Sequence, residues 1–151
     1  MSTTLTDKSP QRSSKVLCVV YGLIAAAALV ATWTQNTAYL HAGIGRFFID
    51  FLAGVEVTPA SRSIACDILY FFLAAAIFMV IEARKHGIRF VWAYILAGML
   101  IDISVAFPLF LIARELRISA SDAPGPRPVD TILLAVLAVA VAALTIWIDT
   151  R

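Results

Sequence analysis

Asp102 is an acid in the middle of an apolar run, Phe90 to Ile112 (FVWAYILAGMLIDISVAFPLFLI). An Asp at the centre of a membrane helix costs about 2.5–3.5 kcal/mol on insertion scales, and such residues usually face a bundle interior and mark proton relays, ion paths or ligand sites. Gly98 lies four residues before it and Tyr94 eight before it, so one helix face would carry a lane of polar and small residues. Pro108 removes the hydrogen bond to the carbonyl of Ser104 and exposes a backbone acceptor beside that lane. Tyr94, Asp102 and Ser104 therefore form a candidate intramembrane site for a proton or polar ligand. The plainer alternative is an Asp102 that is protonated, or hydrogen-bonded to a neighbouring helix, and fixes packing alone.

Asp67 is a second acid within an apolar run, Ile64 to Ile81, about one turn from its start. The positive end of a helix stabilises a carboxylate there, so N-terminal capping is the default reading. It shares a helix face with Tyr70 and Ala74, which keeps a functional role open.

These acids need helices to hold them, and the composition supplies membrane helices. The chain has 151 residues, 61% hydrophobic and 15% charged, with a mean hydropathy of +0.88. Soluble domains carry about 25% charged residues. The Lys and Arg residues are scattered rather than blocked, which excludes nucleic acid as a partner and suits membrane-flanking positions. Cys18 and Cys66 sit in separate apolar segments, and His41 and His86 in separate flanking ones. Neither a metal site nor a disulfide is expected from such spacing, and no cofactor is implied.

Four apolar runs are each long enough to cross a hydrocarbon core of roughly 30 Å at about 1.5 Å per residue: Val16 to Thr34, Ile64 to Ile81, Phe90 to Ile112 and Thr131 to Ile148. A cleaved signal peptide competes for the first, although its apolar run exceeds the usual signal core. Residues 39–57 carry Leu40, Ile44, Phe47, Phe48, Phe51, Leu52 and Val55 at helical spacing, with His41, Arg46, Asp50 and Glu56 mostly on the other face. They predict an amphipathic helix lying in the interface or folded back on the bundle. Pro59, Ser61 and Ser63 break that helix and offer caps for the next.

The fold class expected is all-α, a polytopic membrane bundle of four transmembrane helices plus one interfacial helix. Its organisation is a disordered cytoplasmic tail over 1–15, a three-span core over 16–117, a Pro/Gly loop over 118–130 and a fourth span over 131–151 capped by Asp130. Gly87 ends the second span, and the turn Glu82-Ala-Arg-Lys-His-Gly-Ile-Arg89 makes the second and third spans antiparallel neighbours. In the fourth, Ala135, Ala138 and Ala142 form a small-residue stripe that admits a close helix.

With four spans, Lys8, Arg12, Lys15, Arg84, Lys85, Arg89 and Arg151 share one side and outnumber Arg46, Arg62, Arg114, Arg117 and Arg127 on the other. The positive-inside bias then places both termini in the cytoplasm. In that topology Glu82 and Arg84 lie across the membrane from Arg114 and Glu115, too far apart to pair, and each pair is a charged collar at its own helix end.

The runs Phe48-Ile-Asp50, Ser61 to Leu69, Glu82-Ala-Arg84-Lys85-His86-Gly87 and Phe107-Pro-Leu-Phe-Leu111 followed by Arg114-Glu115 resemble a family of small bacterial integral membrane proteins known as a domain of unknown function. The resemblance extends from Val16 to Arg117. It implies a three-span core, with the fourth span an addition, and it implies no activity. The family usually has a small or apolar residue where Asp102 stands, so the shared charges it implies are Asp50, Asp67, Glu82, Arg84, Arg114 and Glu115.

Three functions are compatible with these features. The first is an accessory, assembly or structural subunit in a bacterial inner membrane, partnered by lipid and by copies of itself or another membrane protein. The second is a small oligomeric proton-coupled transporter using Asp102 and Asp67. The third is an intramembrane enzyme on a lipid-soluble substrate, with a protonated Asp as general acid.

Overall fold

The computed structural model describes residues 9–118 and 128–150, and these are helical with short connections. Helix α1 spans Ser9–Asn36 and runs through a 3-10 turn, Thr37–Ala42, into α2, Ile44–Val55. Helix α3 is Pro59–His86, α4 Val91–Leu100, α5 Ile103–Glu115 and α6 Pro128–Asp149. Among the described residues three helices are long and apolar enough to cross a membrane: Ser14–Leu40, Pro59–His86 and Pro128–Ile148.

The third expected span is therefore not one helix. The run from Phe90 to Ile112 breaks after Leu100, and Asp102 adopts an extended backbone (φ −178°, ψ 139°). Its side-chain Oδ1 accepts a hydrogen bond from the Ser104 N–H at 2.8 Å, which makes Asp102 the N-cap of α5. The chain reverses at this point. Tyr94 and Phe110, each eight residues from Asp102, meet ring to edge at 5.7 Å between centroids. A Cβ added to Gly98, four residues before Asp102, would lie 3.5 Å from the Cβ of Ala106, four residues after it. The pairing is symmetric about Asp102, as an antiparallel helical hairpin requires. Pro108 is buried within α5.

Helix α3 forms the wall against which the hairpin folds. Thr58 and Ser61 start it with a capping box, the Ser61 N–H donating to Thr58 Oγ1 at 3.0 Å and the Thr58 N–H to Ser61 Oγ at 3.1 Å, with Pro59 in the first turn. Ala75, Met79 and Ala83 recur at helical spacing on its buried face and pack with Val91, Ile95, Ile103 and Phe110. Phe110 and Met79 are fully buried. Phe72 reaches Gly98, while Phe71 and Phe78 reach Phe107 at 6.4 and 5.9 Å. The hairpin tip thus lies level with the middle of α3. Gly87 closes α3 in the left-handed conformation (φ 65°), with the Ile88 N–H returning to the Ala83 carbonyl at 2.9 Å.

Helix α1 packs along α5, with Gly22 facing Ile112. At its far end Trp33 stacks on Phe47 of α2 (6.3 Å), and Tyr39 meets Phe51 at 5.8 Å, so the aromatic face of α2 folds back on the end of α1. The amphipathic segment expected over 39–57 is thus two pieces separated at Gly43 (φ 86°). Helix α6 packs lightly against α1, and apart from the half-buried Thr145 its described side chains are exposed.

Three boundaries differ from expectation. The polar tail expected over 1–15 gives way to helix at Ser9, and residues 1–8 lie outside the described residues. Of the loop expected over 118–130, residues 119–127 lie outside them, and α6 starts at Pro128, whose fixed φ suits a first helical position. Asp130 consequently lies in the first turn rather than at the cap.

Candidate functional site

The reversal at Asp102 assembles a charged cluster that a straight third span would forbid. Glu82, one turn before the end of α3, is the buried charged residue among the described ones, at 8% exposure. Arg114, in the last turn of α5, donates from Nε to Glu82 Oε2 at 2.5 Å. Its Nη1 reaches Glu115 Oε1 at 3.2 Å. His86 Nε2 approaches Glu82 Oε2 at 3.3 Å and Lys85 Nζ approaches Oε1 at 3.9 Å. The expectation that Glu82 and Arg114 lie across the membrane from each other is therefore overturned. The physical reason is the N-cap at Asp102, which turns α5 back toward the end at which α4 begins.

The cluster is placed by local sequence. Glu82, Lys85 and His86 fall on one face of α3 by their i, i+3, i+4 spacing, next to the buried Met79 and Ala83. Arg114 and Glu115 are carried to the same level because α5 is 13 residues long and starts at mid-depth. The guanidinium fork suits a carboxylate in partly dehydrated surroundings better than an ammonium would. Lys85 is largely exposed, and its long contact contributes little beside the Arg114 bond. Helix α1 reaches this end of α5, where Gly22 faces Ile112.

The other expected site residues are scattered. Asp102 is half-buried at the hairpin tip, with its carboxylate engaged by its own helix, and Ser104 contributes its N–H while its side chain is exposed. Tyr94 packs against Phe110 inside the hairpin. The lane Tyr94, Gly98, Asp102 is thus folded against α5 rather than lining a path along one continuous helix. Asp67 lies eight residues beyond Pro59, on the exposed face of α3. The capping role proposed for it belongs to Thr58 and Ser61 instead. Asp50 pairs with Arg46 at 3.6 Å within α2, and Arg84 is exposed on α3. Ala135, Ala138 and Ala142 point outward from α6.

Sequence reasoning missed the Glu82–Arg114 pair, although the signal was present. An Asp two residues before Ser104 in an otherwise apolar run reads equally as a buried acid and as an N-cap.

Over its described residues the chain is all-helical, with three span-length helices, a broken helical pair and an internally matched charge cluster, the make-up of a helical membrane protein. Residues 20–116 match the family described as protein of unknown function DUF2834, and the chain belongs to that family. The match takes in α2 to α5 and most of α1, together with every residue of the charge cluster, and stops before α6. No curated protein and no solved structure matches the chain.

Proposed function

We propose that the chain is a structural or accessory subunit of a membrane assembly. The observation that supports this best is the use of the charges at the cluster. Glu82, Arg114, Glu115 and His86 face one another and tie the ends of α3 and α5 together, which is the work of a clamp that fixes a bundle. The span outside the family match, α6, turns the small faces of Ala135, Ala138 and Ala142 outward, where a neighbouring helix can approach closely.

The orientation we infer follows from the hairpin. Because α5 returns to the side where α4 begins, Lys15, Arg84, Lys85, Arg89, Arg114 and Arg117 gather at one end, against Arg46 and Arg62 at the other. The positive-inside bias assigns the first end to the cytoplasm more decisively than a four-span count does. Three crossings then put the N-terminus in the cytoplasm and the C-terminal end of α6 outside. The resemblance drawn from the sequence supports a bacterial cytoplasmic membrane as the setting.

Native mass spectrometry of the protein extracted from its own membranes in mild detergent tests the subunit reading. A complex of defined stoichiometry is expected. A monomer carrying neither a second copy nor another protein would overturn it. Proton-coupled transport is the second reading, favoured only by the position of Asp102 at mid-depth, and loss of flux in Asp102→Asn would support it.

A further inference from the structure

Helix α3 carries polar residues on the face opposite its core. Ser63, Asp67, Tyr70 and Ala74 follow a four, three, four spacing and fall within one narrow arc of the helix, and all four are exposed. The buried residues Ala75, Met79 and Ala83 lie on the other side. Tyr70 is 75% exposed. Neither Asp67 nor Tyr70 has a hydrogen-bond or ion-pair partner among the described residues.

The depth makes this costly. Arg62 and Glu82 bracket a stretch of α3 that is about 30 Å long at roughly 1.5 Å per residue, the thickness of a hydrocarbon core. Asp67 lies about 7.5 Å inside the Arg62 boundary by the same rise. A carboxyl there cannot snorkel on its short side chain, and acids at such depth are almost always turned inward or paired. Leucines and isoleucines on the same surface are satisfied by lipid; Asp67 and Tyr70 are not.

We propose that this face of α3 is the contact for a second copy of the chain, packed in parallel about a two-fold axis along the membrane normal. The face is self-complementary. It carries an acceptor carboxyl and a donor phenol, three residues or about 4.5 Å apart along the axis. Helix side chains lean toward the N-terminus, so the long Tyr70 side chain is carried toward the depth of Asp67. Across a two-fold axis the partner's Tyr70 then donates to Asp67, and Tyr70 donates to the partner's Asp67, an isologous pair of bonds. Ala74 supplies the small residue that lets the two backbones approach. This goes beyond the subunit reading, which a different partner would equally satisfy.

The test is disulfide crosslinking in native membranes of full-length Ala74→Cys in a Cys18→Ser, Cys66→Ser background, with Ile132→Cys on α6 as the comparison. The expected product at Ala74→Cys is a species with the mass of two chains, in excess over that from Ile132→Cys. Adding Asp67→Leu, which favours membrane insertion and leaves the core untouched, should weaken dimerisation about five- to tenfold, the worth of two interhelical hydrogen bonds at roughly 0.6 kcal/mol each. Absence of a two-chain product would overturn the proposal, as would a dimer indifferent to Asp67→Leu. A crosslink from Ala74→Cys to another protein would overturn the dimer while leaving the subunit reading standing.

Discussion

Arg114 and Glu82 are 32 residues apart in sequence and joined by a hydrogen bond between Nε and Oε2. A straight helix from Val91 to Arg114 would carry Arg114 about 34 Å away from the start of α4 at roughly 1.5 Å per residue. The pair therefore records the reversal at Asp102, and it closes the hairpin onto α3 at the end opposite its tip.

Breaking this pair from one side should be worse than removing it. Arg114→Gln leaves a buried carboxylate facing only His86 and the exposed Lys85, and a loss of about 2–4 kcal/mol is expected. Glu82→Gln leaves Arg114 with Glu115 and should cost less. The double variant should be less destabilised than the sum of the singles, by at least about 1 kcal/mol. Unfolding in mixed micelles, read as a double-mutant cycle, checks this, and additive losses would show that the two side chains do not interact.

Gly98 is where α3, α4 and α5 meet. A Cβ there would lie 3.1 Å from Ile103 Cδ1 and 3.2 Å from the Phe72 ring, contacts that require a small shift of side-chain ends. Gly98→Ala should therefore change stability little, and Gly98→Leu should cost about 2–3 kcal/mol by forcing the helices apart. Thermal denaturation in detergent compares the two, and equal effects would contradict the packing described.

The cap at Asp102 makes an equally specific prediction. Asn offers the same side-chain oxygen to the Ser104 N–H, so Asp102→Asn should be nearly neutral, whereas Asp102→Ala should lose about 1 kcal/mol. Should Asn and Ala prove equally damaging, the carboxylate charge rather than the cap would be what matters.

What was legible in the sequence divides along physical lines. Hydropathy found the spans of α1, α3 and α6, because a membrane helix must be apolar over its length. Gly87 marked the end of α3 because a left-handed residue there favours glycine. Periodicity found the aromatic face of α2, though not the break at Gly43. The hairpin escaped because Phe90 to Ile112 satisfies the length rule as well as any true span, and hydropathy is blind to a reversal inside an apolar run. The charge cluster escaped with it, since pairing Glu82 with Arg114 requires knowing that the chain turns. The place of Asp67 near the start of an apolar run suggests a helix N-terminus, whereas the helix begins earlier, at Pro59, which leaves Asp67 far from the N-terminal dipole.

The hairpin also sets the fate of the C-terminus. With three crossings, a reporter fused after Arg151 should be active only if it functions outside the cytoplasm. An alkaline phosphatase fusion should be active and a fluorescent protein fusion dark; the reverse result would mean that the chain crosses an even number of times or lies in the opposite orientation.

The most direct measurement concerns the two ends of the hairpin. Arg89, just before α4, and Arg117, just after α5, are both exposed. In a Cys18→Ser, Cys66→Ser background, Arg89→Cys and Arg117→Cys can be labelled with a membrane-impermeant maleimide in sealed right-side-out and inverted vesicles. A hairpin that enters and leaves on one side predicts that both are labelled in inverted vesicles and protected in right-side-out ones. Labelling from opposite sides would mean that the segment crosses the membrane, and would contradict the account.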